Sequence, residues 1–546
     1  METTGAKRLL DILQRHGIDM VAGIPGGSIL PLYDALHGSP MRHILARHEQ
    51  GAAFMAQGIA RATGRLGVCF ATSGPGATNL VTGIADAWRD SIPLLAITGQ
   101  VPREAIGTQA FQEIDIAAMA RHCAKAVFLA RSASELDGLV ADAIDAATSG
   151  RPGPVLLDIP KDVFLETCPD GPIAGPRPRC PRAPREDELR RAAILLERAS
   201  RPLLYVGGGI AASGAADAVA RFCAPRGIPV ASTLLGLGTL PSDHPLSLGM
   251  IGMHGVPAAN HALEECDLLI VAGARFDDRA TGRIAEFAPR AETIHVDADP
   301  NELGRRRKGA LEIHSDARLA FEAWDGMAAR TSRPDWTARV ASLKREHPLP
   351  FQPAHELVRA IARAAPEGTI ATTDVGQHQM WAAQSWPVER HGRFLTSGGL
   401  GTMGFGLPVA IGAALASPGR TVACLSGDGS ILMNIQELAT LAELGLPVKV
   451  CVFDNGGLGM VRQQQTLFYG DRRSACDFVH APDLAAVAAG FGIAAARIPD
   501  WRRGGWQRML SDEGPALLVF EMEEEQVWPM VPPGAPNTRM LMPAAA

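Results

Sequence analysis

The chain predicts an α/β protein of three doubly wound parallel-sheet domains. Three observations carry that expectation. Short apolar runs of strand length alternate with stretches whose apolar residues recur at helical spacing, the pattern of βαβ units around a parallel sheet. The 546 residues exceed what one core usually holds, and two stretches, 166–187 and 331–353, interrupt the alternation. The 58 glycines and 40 prolines are scattered, as suits many βα turns, and form no low-complexity run. The expected units are a first domain 1–165, a linker 166–187, a central domain 188–330, a linker 331–353, and a last domain with its tail, 354–546.

Taken in order, the first domain opens with helical spacing from Ala6 to His16. Strand patterns follow at 20–24, 68–72, 93–98 and 153–159. Residues 166–187 are rich in Pro and Gly and read as a flexible connection. The central domain has its own strand patterns at 202–206, 268–272 and 293–296. Residues 331–353 are polar and contain proline, and read as a second connection. The last domain shows strand patterns at 368–373, 421–426 and 447–453, with a helical pattern over 432–444. The first and last thirds alternate alike, so a duplication is a natural thought, yet they share no clear sequence repeat.

Composition narrows the class. Hydrophobic residues make up 47% and charged residues only 20%, which describes a well-buried protein and not a disordered one. The formal charge of −6 and pI of about 6.2 leave no basic footprint for nucleic acid. The N-terminal residues lack the apolar core of a secretory signal, and no apolar run reaches membrane-spanning length. Nine scattered cysteines form no CxxC pair, against a disulfide framework or a zinc site. A soluble cytoplasmic enzyme without nucleic-acid or membrane partners is expected.

The strongest local signal is Gly427-Asp428-Gly429-Ser430 after one buried strand, with Asp454-Asn455 after the next. This places an acid and an amide at the carboxyl ends of two parallel strands, where open α/β sheets bind ligands. Mg²⁺ takes oxygen ligands such as these, together with phosphate oxygens, and glycines let backbone N–H groups approach a diphosphate. Asp-Gly alone usually marks a turn. The combination is far more specific.

GDGS…DN resembles the diphosphate-binding signature of thiamine-diphosphate enzymes, and the chain as a whole resembles the acetolactate (acetohydroxyacid) synthase catalytic subunits. Shared pieces include Ile24-Pro-Gly-Gly27, Arg47-His-Glu-Gln-Gly-Ala-Ala53, Thr72-Ser-Gly-Pro-Gly-Ala-Thr-Asn79, Ala110-Phe-Gln-Glu113 and Ser149-Gly-Arg-Pro-Gly-Pro154. They continue through Gly252-Met-His-Gly255, Gly273-Ala-Arg-Phe-Asp-Asp-Arg279, Gly401-Thr-Met-Gly-Phe-Gly406 and Val531-Pro-Pro-Gly-Ala-Pro536. The bacterial isozyme type with low sensitivity to valine is the nearest match suggested. The resemblance implies three cofactors: thiamine diphosphate, Mg²⁺ and FAD.

It also implies roles. Read alone, Glu49 is an exposed glutamate opening a helix, where a carboxylate suits the macrodipole. The small apolar residues that follow argue for burial, which raises a carboxyl pKa. By resemblance Glu49 hydrogen-bonds the aminopyrimidine ring of the cofactor and favours its imino tautomer. Met403, otherwise ordinary core filler, wedges the cofactor into a bent form, and Gly401 holds the pyrimidine. Pro75 and Asn79 join the cofactor site. Gln377, His378, Gly427, Gly429 and Ser430 lie by the diphosphate, and Asp428, Asn455 and the Gly457 carbonyl hold the metal. Gly27, Phe111, Gln112 and Lys161 wall the pocket.

In the central domain, Gly207, Gly208 and Gly209 follow a strand, but a glycine triplet alone is more often a turn. Arginine suits phosphates and carboxylates, and the resemblance assigns FAD to that triplet with Arg151, Thr233, Leu234, Gly252, Met253, His254, Gly273, Arg275, Asp277, Arg279, Asp297 and Asp316. Arg275 also binds the carboxylate of the second substrate. A redox role for the flavin is not expected.

The implied reaction decarboxylates pyruvate on thiamine diphosphate and joins the hydroxyethyl carbanion to a second 2-keto acid, pyruvate or 2-ketobutyrate. It is the first common step of valine, leucine and isoleucine biosynthesis. The family builds one site from two chains, so a homodimer or homotetramer is implied; a small regulatory subunit is a further possible partner. One position departs from the family: Gln464 stands where a tryptophan usually walls the second-substrate pocket beside Met460. This predicts a weaker preference for 2-ketobutyrate. The rivals are a flavin-dependent pyruvate oxidase and a non-catalytic binding scaffold. The first would consume oxygen or reduce quinone, and the second has no need of Glu49, Asp428 and Asn455 together.

Overall fold

The computed structural model describes residues 2–178 and 180–543. Among them the strand patterns assemble into three six-stranded parallel sheets. The first sheet holds Met20–Gly23 (β1), Arg42–Leu45 (β2), Gly67–Ala71 (β3), Leu94–Gln100 (β4), Ala126–Leu129 (β5) and Pro154–Pro160 (β6), in the order β2-β1-β3-β4-β6-β5. The second holds Pro202–Val206 (β7), Val230–Ser232 (β8), Ser247–Met250 (β9), Leu268–Ala272 (β10), Glu292–Asp297 (β11) and Leu311–His314 (β12), in the order β9-β8-β7-β10-β11-β12. The third holds Ile370–Thr373 (β13), Phe394–Leu395 (β14), Val422–Gly427 (β15), Val448–Asp454 (β16), Ala494–Ile498 (β17) and Ala516–Glu521 (β18), in the order β14-β13-β15-β16-β18-β17. Central strands such as β4, β6, β7 and β10 are buried along their whole length. Helices cover both faces of a parallel sheet, which is why these strands read as unbroken apolar runs.

The first and third sheets share one strand order, so their likeness lies in topology where the sequence shows no repeat. The second sheet differs and has the order of dinucleotide-binding sheets. Each order has a switch point inside the sheet where successive connections leave in opposite directions: between β1 and β3, between β7 and β10, and between β13 and β15. Helices diverge there and leave a crevice at the carboxyl ends of the strands.

Two helices join the first and third domains. Glu49–Thr63 and Gly406–Ala416 are buried along most of their length and pack on each other. Glycines allow the close approach. A Cβ on Gly412 would lie 2.0 Å from the Met55 carbonyl oxygen, and one on Gly58 would lie 2.3 Å from that of Val409. Phe54 and Phe405 meet edge to face at 5.3 Å beside this seam.

Three expectations need revision. Within 331–353, residues Pro334–Glu346 form a helix, not a linker. Its Trp336, Val340 and Leu343 are buried against Leu203 and Tyr205 of the central sheet, and Trp336 Nε1 donates to the Pro202 carbonyl at 2.9 Å. An apolar residue every three or four positions was hidden among polar ones. Of the helix expected over 432–444 only Glu437–Leu444 forms, and a separate turn of helix, Asp428–Ile431, lies before it. The break falls at Asn434, whose amide donates to the Gly404 carbonyl instead of facing solvent. Within 166–187, residues Thr167–Pro169 pair antiparallel with Glu2–Thr4, whereas Arg179 lies outside the described residues.

Candidate active site

The crevice between β13 and β15 is open to solvent and encloses about 430 Å³ of empty space, open solvent included. Val375, Gln377 and His378 line it from the end of β13, Gly427 to Ser430 from β15, and Asn455 and Gly457 from β16. Met403 and Met460 complete the wall. Asp428 accepts from Gly429 N at 2.9 Å and Gly457 N at 2.9 Å. Burial, and next the charge of Asp454, hold its carboxyl well above the usual range. A cation at this site reverses that balance. Ser430 Oγ accepts from Gly427 N at 3.0 Å, which fixes the turn.

Asn455 Nδ2 donates to Gln377 Oε1 at 3.1 Å, and Asn455 Oδ1 is buried without a partner. His378 Nε2 is likewise buried and unpartnered. Burial lowers the His378 pKa to about 3, so its ring is neutral. A carboxylate, an amide oxygen and a neutral imidazole with free capacity fit a hard cation and its anionic partner. The Gly457 carbonyl accepts from Gly459 N at 3.0 Å, and the Asn455 carbonyl accepts from Arg462 at 3.2 Å.

Glu49 sits elsewhere in the single chain. It begins the helix Glu49–Thr63, capped by His48 Nδ1, which accepts from Gln50 N at 3.1 Å. Its Oε2 accepts from Asn79 Nδ2 at 2.9 Å, at the end of the helix Pro75–Asn79. Glu49 is half-buried, not fully buried as its neighbours suggest, because Ala52 to Ala56 turn into the core while the first turn stays at the rim. Gln112 has φ +59°, a strained value for a side-chain-bearing residue. Its carbonyl packs where a Cβ on Gly74 would fall. Phe111 is 88% exposed and Lys161 opens the helix Lys161–Leu165. Glu49, Gly27, Phe111, Gln112 and Lys161 do not line the last-domain crevice.

The central crevice, between β7 and β10, is a cavity open to solvent with about 730 Å³ of empty space, open solvent included. The register pairs Ala272 with Val206, so the two following loops touch. A Cβ on Gly207 would lie 2.3 Å from the Gly273 carbonyl oxygen. Arg151, Gly208, Gly209, Gly273, Arg275, Asp297 and Asp316 line this cavity. Arg151 is held by Glu302 at 2.9 Å, Asp299 at 3.2 Å and Ser91 Oγ at 2.8 Å. Burial pushes the Asp297 carboxyl up to about 6. Asp316 also caps the helix Ala317–Met327, accepting from Leu319 N at 3.0 Å. Phe276 at φ +55° is locked among Tyr205, Phe287 and His295, and this bend separates Arg275 from Asp277.

The other flavin candidates do not line the cavity. Thr233 caps a turn, accepting from Gly236 N at 3.0 Å, and the next residue, Leu234, opens that turn. Met253 and His254 hold the C-terminal tail: His254 Nδ1 lies 3.0 Å from the Pro529 carbonyl, and Met253 accepts from Val531 N at 2.8 Å, while Gly252 N donates to Asn260 Oδ1 at 2.9 Å. Asp277 caps Asp278–Thr281, and Arg279 is exposed beside Met253.

Several site residues carried no motif. Asp374 is fully buried and accepts from Gly404 N at 2.8 Å and Gly406 N at 3.2 Å, just after Met403. Gln463 accepts from Gln377 Nε2 at 3.0 Å and donates to the Val527 carbonyl at 2.9 Å, tying the tail to the crevice. Glu437 accepts from Arg47 N at 2.9 Å and His48 N at 3.0 Å, so a last-domain carboxylate steadies the approach to Glu49. The available signals were an acid just after a strand, at Asp374, and an acid opening an apolar helical pattern, at Glu437.

Comparison with known proteins agrees with this layout. The chain matches the thiamine pyrophosphate enzyme N-terminal TPP binding domain at residues 3–119, the central domain at 189–324 and the C-terminal TPP binding domain at 374–520. It is 48% identical over 553 residues to the acetolactate synthase isozyme 1 large subunit of Escherichia coli K12, covering 98% of this chain and 97% of that protein. Identity to the isozyme 2 large subunit of the same organism is 46% over 554 residues, covering 98% and 99%. The chloroplastic acetolactate synthase 1 of Zea mays is 43% identical over 566 residues, covering 98% and 88%.

Proposed function

The chain belongs to the acetolactate synthase large subunits of the thiamine pyrophosphate enzyme family, and from that premise we propose how its residues divide the work. The reaction decarboxylates pyruvate and joins the two-carbon product to a second 2-keto acid, in branched-chain amino acid biosynthesis. The observation that carries the site reading is the last-domain crevice, with Asp428 beside the unpaired Asn455 Oδ1 and His378 Nε2. Thiamine diphosphate, when bound, supplies the electron sink for loss of CO₂. Asp428, Asn455 and Gly457 hold Mg²⁺; Gly427, Gly429, Ser430, Gln377 and His378 face the diphosphate. Gly401 and Met403 set the pyrimidine, and Glu49 holds a proton at that ring. Arg275 orients the carboxylate of the second substrate, beside Gly27, Phe111, Gln112 and Lys161.

Arg151, Gly208, Gly209, Gly273, Asp297 and Asp316 suit FAD in the central cavity, in a structural and not a redox role. Because Glu49 lies outside the crevice of its own chain, a second copy completes the site, as a homodimer or a tetramer of such pairs. The relatives' description as large subunits supports a small regulatory partner. The valine-insensitive type rests on the sequence resemblance, and valine titration checks it. No helix among the described residues is long and apolar enough to cross a membrane; the free cysteines support our reading of a cytoplasmic location. In an acetolactate assay with pyruvate, omitting thiamine diphosphate or Mg²⁺ abolishes product, and Glu49→Gln lowers the rate by about 100-fold or more. Oxygen uptake without acetolactate would instead mark an oxidase.

A further inference from the structure

Two first-domain helices, Glu49–Thr63 and Val81–Asp90, meet the last domain through three buried charges: Arg61, Asp86 and Asp90. The side chains of both aspartates are fully buried and that of Arg61 is 5% exposed. Arg61 Nη2 bridges Asp86 at 3.2 Å and Asp90 at 2.8 Å, and Nη1 donates to the Thr396 carbonyl at 3.0 Å. Asp86 accepts from the hydroxyls of Ser397 and Thr402, the latter at 2.9 Å. Asp90 accepts from Gly398 N at 3.0 Å and Gly399 N at 2.7 Å. Ser397 Oγ in turn accepts from Gly401 N and Thr402 N, both at 3.1 Å. Residues 396–402 have no helix or strand of their own, so these bonds give them their shape. The segment leads directly into Met403.

Burying three charges is costly, and apolar residues of similar volume would stabilise a domain seam as well or better. What the charges add is direction, because Asp90 receives two successive backbone N–H groups while Asp86 receives the hydroxyls at the two ends of the segment, and together they admit one arrangement of that backbone. The same cluster borders the central cavity. Asp90 lines it with Arg275, whose Nη2 donates to the carbonyl of the adjoining Arg89. Leu235 of that cavity presses on the segment: a Cβ on Gly398 would lie 2.8 Å from Leu235 Cγ.

We propose that Arg61, Asp86 and Asp90 are positioning residues that set the shape of 396–402, and hence the place of Met403, and that Asp90 transmits occupancy of the central cavity to this segment. The proposal rests on the reading of Met403 as a cofactor-facing residue. The test is hydrogen–deuterium exchange of the cofactor-free full chain, alone and with FAD, with flavin uptake followed by absorbance. In the wild type, FAD slows exchange at 398–402. Asp90→Asn speeds exchange at 398–399 by about tenfold or more, and with flavin bound the slowing is absent. Thr402→Val, which spares the charges, raises the thiamine diphosphate concentration needed for binding, read by protein fluorescence, whereas Thr402→Ser restores it. Unchanged exchange at 398–399 in Asp90→Asn, or FAD slowing that survives it, overturns the proposal, as does equal thiamine diphosphate binding by Thr402→Val and wild type. The exchange arm needs no thiamine diphosphate. A wild type that shows the clasp but makes no acetolactate would sink the functional reading and leave the clasp standing.

Discussion

At Asn455 the amide nitrogen is tied to Gln377 Oε1, which leaves the amide oxygen without a protein partner in a cavity that also holds Asp428. The two candidate ligands were legible from a strand–turn–helix pattern and a second strand end. Their orientation was not, because Gln377 comes from another strand end, 78 positions before Asn455. The glutamines after Met460 show the same limit. On the helix Gly459–Phe468, Gln463 turns inward to the tail, while Gln464 shares the face of Met460 one turn on and stays half-buried. Gln464 does not itself line the crevice of one chain. If it borders the second-substrate pocket, Gln464→Trp adds apolar surface there and raises selection of 2-ketobutyrate over pyruvate by about tenfold. Competition of the two keto acids, read as the product ratio, checks this; an unchanged ratio places the pocket wall elsewhere.

Helix Gly406–Ala416 shows what an element can reveal. Its residues are apolar all round, which marks it as buried on every side. The partner that buries it, Glu49–Thr63, lies some hundreds of residues earlier, and only packing identifies it. Because Gly412 touches the Met55 backbone, Gly412→Val forces the helices apart and costs about 1–3 kcal/mol or more. A thermal melt measures the loss, and Gly326→Ala serves as control, since a Cβ there meets nothing within 4 Å. The opposite failure of reading occurred at Pro334–Glu346, where proline and charge masked a buried face. A break in a helical pattern was also missed at Asn434, because its cause is a carbonyl thirty residues back, at Gly404.

Across the whole molecule, the first and third sheets repeat one topology, and each candidate site falls at a switch point of a strand order. Glu49 and Asp428 nevertheless sit on different domains and do not share a cavity in one chain. If a site takes Glu49 from one chain and Asp428 from its partner, inactive Glu49→Gln and Asp428→Asn chains complement each other. Half of a random mixture of dimers is hybrid, and each hybrid has one intact site, so about a quarter of wild-type activity returns. Co-refolding followed by the acetolactate assay reads this out; no recovery would place both residues of a site on one chain.

The sequence by itself determined the alternation of strands and helices, the three sheets and the polar steps at their carboxyl ends. Those features depend on periodicity and turn chemistry within a few residues. The tertiary structure decided which glycines touch, which amide oxygen stays unpaired, how three charges brace the segment before Met403, and that Glu49 lies apart from Asp428. Each of these depends on contacts between residues far apart in the chain, fixed only when the sheets and helices pack.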